Sequence, residues 1–397
     1  MKIFDRNTTI AATRPNWSGS VTEEYAFKTS IFRSRNGSEK RESMRQTARV
    51  ALQYLTALKR EGLQRHMSDM AQDPTRLFLV PARWRSAFLT EAALSDQAEI
   101  IVALPPYWMV AGQDLILTDG AAEQAVKVSS VSGGTITLSE DLTAPLPQGA
   151  RVMMAYQART TSQSSFRALT PSLWTGNVRY EVDPGSTPQA YPEVVLPTFE
   201  GRELFLTRPN WASGPRLDFN TPFESVDSGR GVIEVSTPEL DHTQIKKMGY
   251  NGMDAEKTDA LVSFFLRHKG QRTGFFMPSW QRDVTAKEPA ISSSSTLLIE
   301  GPDFKNAYEG SKVYNVLIAF FPDGSYQVNR IVGYELVGLD SSLLMENGWD
   351  QEVSDDTKIS FCHHWRFSTD LLSVNWITSE VSEIEIAVQT VQSGEND

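Results

Sequence analysis

Side chains suited to metal binding or redox chemistry come together at one place in this sequence, the segment Phe361–Trp365, which reads FCHHW. Side chains alternate between the two faces of a β-strand, so Cys362 and His364 would share a face and His363 would point away. A closed zinc site needs four ligands, and no third cysteine or histidine follows at a useful spacing. We therefore expect ordinary strand residues here, with no metal and no cofactor.

Two pairs of adjacent carboxylates, Glu23-Glu24 and Asp355-Asp356, are the other candidates for catalysis. A glycosidase needs two carboxyl groups that face each other across the scissile bond, whereas sequence neighbours usually point apart. The polar, turn-like surroundings of both pairs favour a solvated surface. Phosphate-binding glycine loops, HExxH and GxSxG are absent from the sequence. We therefore expect a protein that is not an enzyme.

The composition is typical of a globular chain with more than one domain. A length of 397 residues exceeds one ordinary core, so two or three domains are expected. Cys362 is the only cysteine, which excludes an intrachain disulfide. No apolar run approaches the ~18–20 residues that span a bilayer, and the first residues lack the apolar core of a secretion signal. We expect folding in a cytoplasm, or in a particle assembled there, without membrane insertion.

The net charge of −11 is unevenly distributed along the chain. Residues 1–200 carry 21 basic and 20 acidic residues, whereas residues 201–397 carry 17 and 29. The segment from Arg33 to Arg65 has nine basic residues and three acidic ones. Complementary charges of this kind would steer and align head-to-tail contacts between subunits. The alternative is a solvated basic strand and helix.

A repeated pentapeptide indicates that the chain was built by duplication. TRPNW occurs at Thr13–Trp17 and again, close to half a chain length later, at Thr207–Trp211. Other landmarks return in the same order, which is the signature of an internal repeat. The matched pairs are Phe27 with Phe219, Gly37 with Gly229, Pro81 with Pro278, Trp84 with Trp280, and Trp174 with Trp376. We expect Trp17 and Trp211 each to be buried in the core of its own copy.

The sequence pattern predicts the same order of elements in each copy: a strand, a helix, an apolar strand and a unit of short strands. Alternation places Val50, Leu52 and Tyr54 on one face of the first strand. The predicted helices cover Leu58–Met70, which uses Leu63, Met67 and Met70 as its apolar face, and Ala255–Lys269, with Asp254 as N-cap and Gly270 as stop. The turn at 322–325 predicts a hairpin between Val313–Phe321 and Tyr326–Tyr334.

The predicted fold class is β-rich α+β. The predicted divisions are a first copy at 1–183 with an inserted β unit at about 90–155, a linker at 184–200, a second copy at 201–392 with an insert at about 285–360, and a frayed tail at 393–397.

Two stretches resemble a known family. Thr29–Leu55, with Ser34, Gly37, Glu39 and Arg41, is similar to a segment near the start of the distal tail proteins of long-tailed phages and gene transfer agents. Leu261–Asp283, with its paired phenylalanines and Gly270, resembles the family's passage from helix to strand. The glutamate and arginine of the first stretch have no counterpart in the second copy, and the paired phenylalanines have none in the first.

The resemblance implies two tail-tube-like domains of the β-sandwich or split-barrel type, and a structural virion protein at the tail tip or baseplate. Such a protein would form a homo-oligomeric ring of three or six chains that joins the tail tube to the hub and fibres. The passing DNA would be contacted non-specifically. Basic residues Arg33–Arg49 would then lie on an extended arm, the basic arm, that reaches a neighbouring subunit, or they would face the lumen. The candidate interface residues are Arg33, Arg35, Arg41, Arg45 and Arg49. Arg41→Glu with Arg45→Glu should weaken assembly and leave each domain folded.

Two other functions remain open at this point. Nine tryptophans and eleven tyrosines suit a receptor- or glycan-binding tail protein, and exposure of Tyr107-Trp108 or Trp349 would favour it. A peptidoglycan hydrolase carried on the tail is the third alternative, for which zymography is the direct test.

Overall fold

A computed structural model describes residues 9–34, 38–72, 76–160, 164–186, 191, 194–211, 214–221, 223–236 and 242–391. These residues form a β-rich α+β protein in which antiparallel strands dominate. Within them, no helix is both long enough and apolar enough to cross a membrane. The helices are α1 (Arg60–Gln72), α2 (Ala255–His268) and α3 (Asp303–Tyr308), with a short 3-10 turn at Pro184–Ser186.

The strands of the first half are β1 (Thr9–Ile10), β2 (Val21–Ala26), β3 (Thr29–Arg33), β4 (Glu39–Ser43), β5 (Arg49–Lys59), β6 (Phe78–Phe88), β7 (Glu99–Ile101), β8 (Asp114–Thr118), β9 (Glu123–Ser132), β10 (Thr135–Leu138), β11 (Arg151–Thr160), β12 (Ser165–Thr170) and β13 (Leu173–Val182). Those of the second half are β14 (Thr198–Phe199), β15 (Arg202–Glu203), β16 (Arg216–Asn220), β17 (Glu224–Val226), β18 (Glu234–Ser236), β19 (Thr243–Met253), β20 (Phe275–Pro278), β21 (Thr296–Ile299), β22 (Val316–Phe320), β23 (Tyr326–Val337), β24 (Asp340–Met345), β25 (Lys358–Phe367), β26 (Leu371–Trp376) and β27 (Ser382–Thr390).

The same pairing scheme occurs in both halves. In the first half, β5 pairs with β2 and β13, β13 with β12 and β11, and β11 with β6 and β8. In the second half, β19 pairs with β16 and β27, β27 with β26 and β25, and β25 with β20 and β22. Each half also contains a group of four strands, paired in the order β7-β10-β9-β8 in the first half and β21-β24-β23-β22 in the second.

The registers of the two halves also agree. Thr22 pairs with Gln53 in the first half, and Arg216 pairs with Lys247 in the second. Both partners are shifted by the interval that separates the two TRPNW segments, which we call the repeat interval. The β3–β4 and β17–β18 hairpins show the same shift at both strands. Because pairing register decides which face every side chain occupies, the halves present their side chains in one common pattern.

The two halves meet edge to edge. β2 pairs with β26 along its whole length, from Val21 opposite Trp376 to Ala26 opposite Leu371. We call this pairing the joint. It connects antiparallel strands in the order β12-β13-β5-β2-β26-β27-β19-β16. The joint makes one continuous sheet of the two halves, and their buried apolar residues form a shared core. The second group of short strands has its own core around Trp349.

Several predicted elements are confirmed. Val50, Leu52 and Tyr54 are buried on one face of β5. At the start of α2 the carboxylate of Asp254 accepts a 2.8 Å hydrogen bond from the amide of Lys257, which makes it the N-cap. The helix ends at His268, Lys269 follows as the C-cap with a left-handed φ of 50°, and Gly270 has a φ of 65°. The hairpin between β22 and β23 has the expected turn.

Other predictions were wrong, and each has a physical reason. Strand pairing matches Phe219 with Tyr25 and not with Phe27, because the pairing follows the repeat interval and the two phenylalanines lie closer together than that. Trp174 lies in β13 and Trp376 in β26, which are not corresponding strands. Trp17 and Trp211 are exposed, at 36% and 53% of their surface.

One further prediction was wrong, and two predictions concern residues that the structure does not describe. On α1, Met67 faces solvent instead of the core. Gly37 and the predicted frayed tail at 393–397 lie outside the described residues.

Candidate functional site: the joint and the open sheet edges

A buried cluster of charged and aromatic side chains lies at the joint. On β2, alternation directs Glu23 inwards and Glu24 to the opposite face. Glu23 is fully buried, which corrects the expectation of a solvated carboxylate pair. Its carboxylate accepts hydrogen bonds from the indoles of Trp84 and Trp376, both at 3.2 Å, and from the Tyr156 hydroxyl at 2.7 Å. Glu24 instead binds Arg179 at 2.6 Å.

Arg85 connects this cluster to the second half. Its guanidinium lies 3.3 Å from the Glu23 carboxylate and also binds Asp259, which α2 contributes. It donates further hydrogen bonds to the hydroxyls of Tyr107 at 2.6 Å and Tyr25 at 3.3 Å. Buried charges are tolerated when they are paired and hydrogen-bonded in this way, and removal of one partner is strongly destabilising. The cluster therefore fixes the position of one half against the other.

Burial and neighbouring charges both shift the pKa values of groups in this cluster. It raises the pKa of Asp259, although the Arg85 charge acts in the opposite direction. Burial alone would lower the pKa of Arg85, but Asp259 and Glu23 outweigh it and hold that pKa well above the ordinary value. Burial also raises the pKa of Tyr25 well above its usual range. Arg85 therefore stays charged, and it contacts one acidic residue from each half.

The FCHHW segment lies on β25 and is buried throughout. The Nδ1–H of His363 donates to the Val313 carbonyl at 2.9 Å. Burial lowers the pKa of His363 to about 4 and raises that of Cys362. Over the part of the chain that is described, no three potential ligands among His, Cys, Asp and Glu converge on a metal site. The segment's side chains pack within the cores of the second half.

The β3–β4 pair, which we call the first hairpin, includes the first part of the basic arm and docks on the second half. Arg33 donates a 3.0 Å hydrogen bond to the Thr243 hydroxyl. Glu39 accepts two hydrogen bonds from Arg366, at 2.8 and 3.0 Å, and both side chains are almost fully buried. At the base of the hairpin, the Thr29 hydroxyl donates to Asp370 at 2.8 Å.

The five predicted interface arginines are thus dispersed. Arg33 contacts the second half within the same chain, Arg41 is half-buried on β4, and Arg45 and Arg49 line a groove on the first half. Arg35 lies outside the described residues.

Glu39 anchors the first hairpin. The sequence marks it only as part of the resemblance of Thr29–Leu55, whereas the arginines stand out by their number as candidate interface residues. Its buried partner, Arg366, follows the histidines of β25 and carries no signal of its own.

Two strands at the ends of the strand order across the joint have an open edge. Among the described residues, β12 pairs only with β13, and β16 pairs only with β19. Both are largely exposed, with Leu169 at 57% and Phe219 at 61%. Unpaired edges present backbone donors and acceptors to any strand that approaches. These edges are the counterparts of the two strands that meet at the joint.

The β17–β18 pair, which we call the second hairpin, is exposed along all of its described residues from 223 to 236. Five of them are large apolar residues with more than half of their surface exposed: Phe223, Val226, Val232, Ile233 and Val235. Exposed apolar clusters of this kind mark interaction surfaces. The second hairpin thus matches the first hairpin in register and differs from it in being exposed along its described length.

A groove of about 430 Å³ on the first half is rich in arginine. We call it the arginine groove, and its basic residues are Arg45, Arg49, Arg159 and Arg179. Pairing identifies Arg159 as the counterpart of Arg366, because each is opposite corresponding residues of β13 and β27. Arg366 is covered by the first hairpin, whereas Arg159 is exposed.

Comparisons with known proteins identify no family for this chain. No model of a protein family matches the sequence, and no curated protein matches it either.

Proposed function

We propose that this chain is a structural virion protein that forms a ring at the distal end of a phage tail. The ring would join the tail tube to the hub and fibres and would surround the genome channel. The observation that carries the proposal is the joint: one half already binds the other edge to edge, and the corresponding outer edges are open. A chain with two such edges can add further copies until the ring closes.

We also propose that the halves are two tail-tube-like copies of one duplicated domain. The shared pairing scheme and the constant repeat interval in β2, β5 and the hairpins support this interpretation. A shared strand order alone is common among unrelated β proteins. A shared register over several strands is a stronger argument, because one-residue slips reverse every side chain. The tail location itself rests on the resemblance of Thr29–Leu55 and Leu261–Asp283.

The test is made on the purified full-length chain and on particles. Native mass spectrometry and negative-stain electron microscopy should show closed rings with a central opening. Antibodies against the chain should label one end of the tail in particles that carry it. Monomers at all concentrations, or label on the head or along the whole tail, would contradict the proposal.

A receptor- or glycan-binding role is the second candidate. Trp108 and Trp349, whose exposure would have favoured it, are buried. The exposed Trp17 and Trp211 support it instead, because exposed indoles are suited to stacking against sugars. Saturable binding to host envelopes that is lost in Trp17→Ala with Trp211→Ala, while rings persist, would support this role.

A further inference from the structure

We infer that the open edge of β12 and the arginine groove are both occupied by a second copy of this chain, through its β16 and its second hairpin. The inference rests on the proposed ring-forming function and deepens it to named residues. Its template is the contact inside the chain, where β2 and the first hairpin of one half lie against β26 and Arg366 of the other.

The joint fixes the register of the proposed contact. Glu24 lies opposite Ser373 at the joint. Their counterparts by pairing are Asp218 on β16 and Ser165 on β12. Asp218 of one copy should therefore lie opposite Ser165 of the next, since the same edges meet.

The next pair in this register is apolar. Glu23 and Val374 at the joint correspond to Leu217 and Phe166. Both of these side chains are half-buried in the single chain. An aromatic residue opposite an aliphatic one is a favourable cross-strand pair. The contact between copies thus replaces the buried Glu23 of the joint with an apolar pair.

One pair of like charges is compensated. The register places Arg216 opposite Arg167, where the joint has Thr22 and Asn375. Asp218 already accepts a 2.9 Å hydrogen bond from Arg216 in the single chain. It also stands diagonally across from Arg167, which is within reach of long side chains.

The second hairpin has an acidic excess, whereas the arginine groove has four arginines and three carboxylates, of which Glu24 already binds Arg179. Its acidic residues are Glu224, Asp227 and Glu234, and its only basic residue is Arg230. In the template, Arg33 of the first hairpin donates to Thr243. The counterparts at these two positions are Asp227 and Arg49. A hydrogen bond inside the chain thus corresponds to an ion pair between copies.

The remaining positions of the groove follow the same template. Arg159 stands where Arg366 binds Glu39, and Ile233 stands at the position of Glu39. The contact between copies therefore places an apolar side chain where the template has a carboxylate. Burial of the second hairpin would cover its exposed apolar side chains, which stabilises association.

Disulfide trapping tests the register. Residues directly opposite each other on antiparallel strands lie ~4.5–5.5 Å apart at Cα, within disulfide range. Asp218→Cys with Ser165→Cys in the full-length chain should give covalent multimers on mild oxidation. Asp218→Cys with Arg167→Cys is the out-of-register control, at a diagonal distance of ~7–8 Å. Glu24→Cys with Ser373→Cys should form a disulfide within one chain. Cys362 is buried and does not interfere.

Native mass of the same samples separates two kinds of failure. Rings without the Asp218→Cys/Ser165→Cys disulfide, when the intrachain control does form, would overturn the inference and leave the proposed function standing. Absence of any assembly, in the variants and in the unsubstituted chain, would overturn both.

A charge exchange tests the hairpin. Asp227→Arg and Arg49→Asp should each weaken assembly by about tenfold or more, since close charge pairs between proteins couple strongly. Together, Asp227→Arg with Arg49→Asp should recover most of the loss. Glu224→Arg with Arg49→Asp is the mismatched control. Equal loss in the matched and mismatched pairs would show that the second hairpin binds elsewhere.

Discussion

Removal of the Glu39 carboxylate should release the first hairpin from the second half. Glu39 and Arg366 form a two-bond ion pair whose side chains expose 6% and 4% of their surface. Loss of one partner of a buried pair costs ~3–5 kcal/mol. Arg366 retains two other acceptors, Gln271 at 3.1 Å and the Phe367 carbonyl at 2.9 Å. We therefore expect Glu39→Ala to destabilise docking by ~3 kcal/mol, the lower end of that range.

Hydrogen exchange measured by mass spectrometry reads this effect locally. A loss of ~3 kcal/mol corresponds to a roughly hundredfold increase in the opening equilibrium of the hairpin. Peptides that cover 29–34 and 38–43 should exchange faster by that factor, while peptides from β5 and β13 should change little.

The matched control is Glu42→Ala, which removes the same group from an exposed position on the same strand. Exposed substitutions usually change stability by less than ~0.5 kcal/mol. Equal exchange in Glu39→Ala and Glu42→Ala would refute the reasoning, because it would mean that the buried pair does not hold the hairpin.

Three other predictions concern the core and the helix. His363 has a pKa of about 4 in the folded chain, below its value in the unfolded chain. The unfolded state therefore binds more protons between about pH 4 and 6.5, and the free energy of unfolding should fall as the pH drops through that window. His363→Asn should flatten this dependence in urea titrations, and an unchanged slope would count against a neutral, buried imidazole. Trp376→Ala should lower the free energy of unfolding by ~3–5 kcal/mol, whereas Trp211→Ala, at an exposed site, should lower it by less than ~1 kcal/mol. Similar midpoints of urea unfolding for the two variants would contradict this expectation. Asp254→Ala should lower the free energy of unfolding by ~1 kcal/mol through loss of the N-cap, and Asp254→Ser, which keeps a capping oxygen, should lower it less.

The sequence predicts local elements of this fold well, because local signals determine them. Asp254 and Gly270 bound α2 as expected, since capping and left-handed geometry depend on residue type. The apolar face of β5 follows from alternation alone. The hairpin turn at 322–325 follows from its turn residues.

Long-range features could not be predicted in the same way. The burial of Glu23 depends on Trp84, Arg85 and Trp376, which are distant in sequence, so the pair Glu23-Glu24 resembled a surface pair. The exposure of Trp211 contradicts the average burial of tryptophan. Such residues gain their environment only from tertiary pairing.

The correspondence between halves shows a similar limit. The match of Phe27 with Phe219 implies a shorter shift than the one that strand pairing gives. One letter cannot fix a register, because several apolar residues stand within two positions of each other. The repeated pentapeptide does predict the shift between paired strands, because five matching residues in a row define a single alignment. The proposed contact between copies depends on this register and could not have been placed from the sequence.

Native mass spectrometry of the unmodified chain, combined with electron microscopy of the same sample, tests the central claim most directly. We expect a closed ring in which the two kinds of half alternate around the opening. A chain that stays monomeric at micromolar concentration would contradict the claim, as would an assembly in which the edges of β12 and β16 both face solvent.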